Sequence, residues 1–286
     1  MAVIEVDGAR FGYDEAGQGP PVVLVHATLA DRRMWEHQFR ALAAAHRVVR
    51  FDGRGYGESD DAVGSFARYE DVLAVMDALG IGQAVLAGCA MGGAQALEAA
   101  LVAPERVRAL ALVCCGLADY EWPPELTAAM VAQVVEVVPA EVMAAYRDGR
   151  AEQVDPAHAR GIAEINLRLS LLGPGRSPEA LAPGVWQFAM EMCTAMLERQ
   201  WHRAPSQERF LEPAASARLA EIAVPTLVVK ALVDEPSLAA ISDRLAEEIA
   251  GARLLELADT GRMAPIERPQ EISQALLDFL RRSVPA

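Results

Sequence analysis

Val85-Leu86-Ala87-Gly88-Cys89-Ala90-Met91-Gly92-Gly93 is the segment whose residue types and spacing bear most directly on chemistry. A short apolar strand runs into a helical pattern through a turn flanked by glycines. It fits the G-x-S-x-G nucleophile elbow in everything but its centre. Gly88 and Gly92 allow the close strand–helix approach that aims the central side chain at the carboxyl edge of a sheet. A serine at that position would be a nucleophile for acyl transfer. Ala90 has no lone pair and no ionisable group, so no covalent intermediate can form through it. The neighbouring Cys89 is a thiol, but an elbow turns the residue before its apex away from the cleft. Strand–glycine–helix junctions occur in any doubly wound fold, so the meaning of Ala90 depends on its company.

Short apolar runs alternate with amphipathic helical patterns, the signature of a parallel sheet crossed by helices. Ala2–Val6 and Arg10–Glu15, separated by Asp7-Gly8, read as a β-hairpin. Pro21–His26, His46–Asp52, Ala84–Gly88, Ala109–Cys115, Pro225–Leu232 and Ala252–Leu257 are apolar enough for strands buried on both faces. Helices are predicted near Arg33–Ala44, Tyr69–Leu79, Gly92–Ala103, Leu238–Ile249 and Gln270–Arg281. The rhythm breaks between Leu117 and Ile222, where helical patterns cover Glu125–Val138, Ala140–Asp148, Pro156–Leu172 and Pro178–Arg199 without strands. The expected organisation is a sheet core over 1–116 and 223–286 with a helical lid over 117–222 inserted after the sixth strand. Met130, Met143, Met190, Met192 and Met196, with Trp186, Phe188 and Trp201, would pack that lid on the core or line an adaptable apolar cavity.

Four further motifs resemble those of the α/β-hydrolase superfamily, in the superfamily's own order. His26-Ala27-Thr28 stands where its members carry H-G-x, whose backbone N–H completes an oxyanion hole. Phe51-Asp52-Gly53-Arg54-Gly55-Tyr56-Gly57-Glu58-Ser59 looks like the D-x-R-G-x-G-x-S loop. Asp234 follows a strand, as the family's acid does, and Gly261-Arg262-Met263-Ala264-Pro265-Ile266-Glu267-Arg268-Pro269 is similar to G-H-x-x-x-x-E-x-P. The resemblance spans the core and leaves the lid unmatched. It implies an α/β fold with a mostly parallel, twisted sheet of about eight strands flanked by helices.

Carried over by position, the resemblance makes Ala90 the nucleophile position, Asp234 the acid and Arg262 the histidine position. Arg262 keeps its proton at any working pH and cannot serve as a general base. It is expected to pair with Asp234, or to join the backbone donors of Thr28 and Met91 in binding an oxygen. His26, Ala27, Thr28, Met91 and Lys230 complete the expected oxyanion and binding set. Lys230 would be either a buried amine with a depressed pKa or a side chain turned outward at the strand's end. Asp119 and His202 are the remaining substitutes for lost groups. The readings are a serine ester or lactone hydrolase altered or engineered at its site, a natural cyclase, eliminase or isomerase, or a ligand-binding pseudoenzyme.

The 286 residues carry a net charge of −14, which disfavours nucleic acid or an anionic membrane as partner. No run reaches the ~18 apolar residues of a membrane span, and the N-terminal segment lacks a signal peptide's basic start and apolar run. Cys89, Cys114, Cys115 and Cys193 form no CxxC pair, so reduced thiols in a cytoplasmic protein are expected. No cofactor or metal is expected. The expected partner is a small apolar molecule with a carbonyl or carboxylate, and homodimer assembly stays open.

Overall fold

A computed structural model describes residues 2–202 and 206–283. An eight-stranded sheet forms the centre. Its strands are β1 (Ala2–Val6), β2 (Ala9–Ala16), β3 (Pro21–Val25), β4 (Arg47–Phe51), β5 (Ala84–Cys89), β6 (Val107–Val113), β7 (Thr226–Ala231) and β8 (Arg253–Leu257). They lie in the order β1-β2-β4-β3-β5-β6-β7-β8. The first two form the antiparallel hairpin, closed by Asp7 at φ 49° and Gly8 at φ 75°. From β4 onward across the sheet all neighbours run parallel.

The strands alternate their side chains between two cores. Val22, Leu24, Val85 and Ala87 share one core with α1 (Glu36–Leu42) and α10 (Pro269–Ser283). Val23, Val25, Leu86 and Val228 share the other with α2 (Arg68–Ala78), α3 (Met91–Val102) and α8 (Pro236–Glu248). Every residue of β5 is buried, which explains its unbroken apolar sequence.

Between β6 and β7 the chain forms α4 (Pro124–Val137), α5 (Ala140–Arg147), α6 (Pro156–Leu167) and α7 (Val185–His202). Their buried residues continue the core on the α1/α10 side of the sheet. The helix expected from Pro178 starts only at Val185, because Pro183 and Gly184, with φ 84°, interrupt it. The helix expected to reach Leu172 leaves α geometry at Leu167 and ends in a π turn over Arg168–Leu172. A two-residue ladder, Ser65–Phe66 with Gln207–Glu208, was not visible in the sequence pattern. Among the described residues no single helix is long and apolar enough to cross a membrane.

Candidate functional site

β5 ends at Cys89, Ala90 takes φ 49° and ψ −118°, and α3 begins at Met91. This backbone region is unfavourable for an L-residue, by about 1–3 kcal/mol. Hydrogen bonds over-determine it. The Ala90 N–H donates to the Val113 carbonyl (3.0 Å), and its own carbonyl accepts from Gly93 (3.0 Å) and Gly116 (2.9 Å). A Cβ on Gly88 would meet the Gly92 carbonyl, and one on Gly92 would meet the Val25 carbonyl. Both positions therefore require glycine.

The expected acid and the residue at the histidine position meet. Asp234 lies in the loop after β7, and Arg262 lies beyond β8, just before α9 (Ala264–Glu267). The Arg262 Nε donates to Asp234 Oδ2 at 2.9 Å, and the Glu235 N–H donates to Oδ1 at 2.8 Å. Burial pushes the Asp234 carboxyl above its ordinary range, and the Arg262 charge pulls it back only in part. The Arg262 N–H donates to the Ser170 carbonyl (2.8 Å), which ties the loop to the π turn. Glu267 closes the motif by accepting from the Gly261 N–H at 2.8 Å and pairing with Arg176.

A cavity of about 260 Å³ lies over the elbow. Ala27, Thr28, Ala90, Met91, Arg262 and Met263 line it from the core side. Asp234 stands behind Arg262, off the cavity wall. The Arg262 Nη2 is buried and has no hydrogen-bond partner among the described residues. A buried donor in this state costs about 1–3 kcal/mol. The Thr28 and Met91 N–H groups also have no acceptor among the described residues. The cavity wall is otherwise mostly apolar.

His26 belongs beneath this site rather than in it. Its Nε2 accepts from the Gly53 N–H (2.9 Å) and its Nδ1 faces the Ala27 carbonyl (2.9 Å), which fixes a neutral ring protonated at Nδ1. Burial lowers its pKa, in keeping with that state. The ring braces the Thr28 loop against the Asp52 loop. There Asp52 accepts from the Arg32 N–H (2.9 Å) and the Glu58 N–H (3.0 Å).

Lys230, expected in the binding set or turned outward at the strand's end, takes the outward position and does not line the cavity. Its Nζ donates to Asp243 Oδ1 (2.6 Å) on α8 and lies 3.6 Å from Glu256. Glu256 is its direct cross-strand neighbour on the edge strand β8, so the sheet register carries the amine away from the cavity. Cys89 is no substitute nucleophile either. It is fully buried, burial drives its pKa well up, and its thiol points at the Arg262 carbonyl (3.5 Å). Asp119 is exposed and accepts from Ser216, and His202 is exposed with its Nδ1 facing the Glu198 carbonyl (2.8 Å). All four cysteines are free, and no metal-ligating cluster occurs among the described residues.

The outer wall comes from the insertion: Trp122, Met130, Asn166, Leu169 and Ser170. Of the methionines singled out in the sequence, only Met130 reaches the cavity. Met143, Met190, Met192 and Met196 are buried in the core. Asn166, Leu169 and Ser170 escaped sequence reasoning. Their i, i+3, i+4 spacing was a signal for one helix face, but not for which face looks at the elbow.

A family model described as alpha/beta hydrolase fold matches residues 20–269. The protein named "Putative carbamate hydrolase RutD" of Azorhizobium caulinodans is 31% identical over 93% of this chain and 93% of its own. The 3-oxoadipate enol-lactonase 1 of Acinetobacter baylyi is 25% identical over 92% of this chain and 89% of its own. The crystal structure of the enol-lactonase from Burkholderia xenovorans LB400 superposes with a TM-score of 0.72 at 25% identity, covering 98% of this chain and 100% of that one.

Proposed function

The chain belongs to the α/β-hydrolase fold family, and on that premise we propose that its cavity binds a small apolar molecule through one carbonyl or carboxylate oxygen, without acylation. The site descends from that of a serine ester or lactone hydrolase. Relatives named as an enol-lactonase and a carbamate hydrolase support that class of ancestor. The observation that carries the reading is the buried, unpartnered Nη2 of Arg262 in a wall it shares with Ala90. With Nε committed to Asp234, the second edge of the guanidinium is left for a ligand oxygen. The insertion closes over that ligand as a lid.

Ala90 and Arg262 form a degenerate triad with Asp234. Attack from position 90 is excluded by its chemistry, and a permanently charged guanidinium cannot take a proton. A carboxylate or a polarised carbonyl beside Arg262 would meet a charge-assisted donor worth about 1.5–3 kcal/mol. A second reading, turnover by cyclisation, elimination or isomerisation, draws on the Thr28 and Met91 donors. These could also stabilise an oxyanion as it develops.

Two measurements test the proposal. Binding of short-chain carboxylates, followed by calorimetry, should weaken about tenfold or more in Arg262→Met while the matching alcohols are unaffected. Equal losses for both would remove Arg262 from recognition. Ancestral hydrolysis is tested by Ala90→Ser combined with Arg262→His, which should raise cleavage of an aryl ester well above background. A folded double variant with no gain would count against that ancestry.

A further inference from the structure

Thr28 and Met91 also border a second cavity, of about 380 Å³. Met91, Ala94, Gln95 and Glu98 line it from α3, at the i, i+3, i+4, i+7 spacing of one helix face. Phe66, Arg68, Glu208 and Phe210 face them. Glu98 is only 5% exposed. Its carboxyl has no hydrogen bond or ion pair among the described residues. A carboxylate this far from solvent is costly to ionise without a partner, and among the described residues the cavity wall offers Glu98 no donor.

The surrounding charges sharpen this. Burial, reinforced by repulsion from Glu208 and Asp119, pushes the Glu98 carboxyl up to about 7. Arg68, the cation in the wall, gives its Nε to Glu208 (3.1 Å) and lies over the Tyr56 and Phe66 rings at 5.3 Å. It is spoken for. Tyr69 and Cys115 also feel Glu98, but both have raised pKa values and stay neutral. Among the described residues the wall carries two carboxylates, Glu98 and Glu208, against one engaged guanidinium, beside aromatic surface that a cation can also use.

We propose that this cavity is a second binding site for a small organic cation: a primary ammonium seated on Glu98, with a short apolar body against Phe66 and Phe210. It involves neither Ala90 nor Arg262, so it stands or falls separately from the reading of the elbow cavity.

Calorimetry of the intact protein with butylammonium and with 1-butanol, its neutral counterpart, tests the assignment. At pH 8 the ammonium should bind at least tenfold more tightly than the alcohol, and Glu98→Gln should abolish that preference. Only ionised Glu98 binds the cation, so affinity should fall about thirtyfold from pH 8 to pH 5.5, a fall that Glu98→Gln lacks. A carboxyl NMR titration supplies a readout on the unmutated protein: saturating butylammonium should move the Glu98 pKa from about 7 toward the ordinary carboxylate range. No preference for the ammonium, equal preference in Glu98→Gln, or an unmoved Glu98 titration would each overturn the proposal.

Discussion

Replacing Arg262 by Met isolates what the guanidinium does for Asp234. The Asp234 side chain is 3% exposed and would keep one donor, the Glu235 N–H at 2.8 Å. Removing one partner of a buried pair costs about 3–5 kcal/mol. The unpartnered Nη2 disappears in the same step, which returns about 1 kcal/mol. The net loss at pH 8 should be about 3 kcal/mol, or roughly 6–12 °C in Tm. Its sign with pH is fixed by the carboxyl. An acid whose folded pKa lies above the unfolded value destabilises as pH rises past that unfolded value. Asp234 is already raised by burial, and losing Arg262 raises it further. Proton uptake limits the loss to about 1.4 kcal/mol for each pH unit above ~3.9, so at pH 5 it shrinks to about 1.5 kcal/mol or less. Urea denaturation at pH 5 and pH 8 measures both values, and adding Asp234→Asn should recover most of the pH 8 loss. A loss that is small at pH 8 or independent of pH would refute the buried-pair argument.

Ala90→Ser alone should leave aryl ester hydrolysis at background, because Arg262 cannot accept the proton, whereas adding Arg262→His should raise the rate about a hundredfold or more; equal rates in the two variants would contradict this. Glu98→Gln should stabilise the protein by about 2 kcal/mol at pH 8 in thermal or urea unfolding. The penalty it removes sets in above the ordinary carboxylate pKa and is complete above about 7, so the same variant should gain nothing at pH 4.5. Lys230→Ala should cost less than about 1 kcal/mol, since its partner Asp243 is 42% exposed, and it should leave ligand binding at both cavities unchanged in calorimetry.

The local rules that made the fold legible are those that need no partner to be read. Asp7-Gly8 demanded positive φ and so closed the hairpin, and Gly88 and Gly92 marked an elbow that sterics leave to glycine. Asp234 and Arg262 were legible because each follows a strand in a family order, and the sheet then brings their side chains to 2.9 Å. The sequence leaves the direction of Lys230 open between inward and outward, for a physical reason. A strand buried on both faces has no alternating pattern, so its sequence does not say which way a given side chain points; the neighbour Glu256 decides that. Asn166, Leu169 and Ser170 depend on how α6 and its π turn settle on the core, which no periodicity in the segment encodes. Glu98 was hidden because a lone acid in an apolar helix has no local signature until the fold buries it and brings Glu208 and Asp119 from distant segments.

The strained turn at Ala90 bears on both cavities. A serine nucleophile would justify about 1–3 kcal/mol of backbone strain by its presentation to substrate. With alanine there, that return is gone, yet φ stays at 49°. The turn still does two things that need no side chain at position 90. It starts α3 at Met91, whose N–H borders the Arg262 cavity, and it sets the face of α3 that carries Gln95 and Glu98 to the second cavity. Relaxing the turn would shift both walls together. The hydrogen bonds to Val113, Gly93 and Gly116 hold this backbone strained, and under the proposed reading the small methyl group of Ala90 leaves room for a ligand beside Arg262.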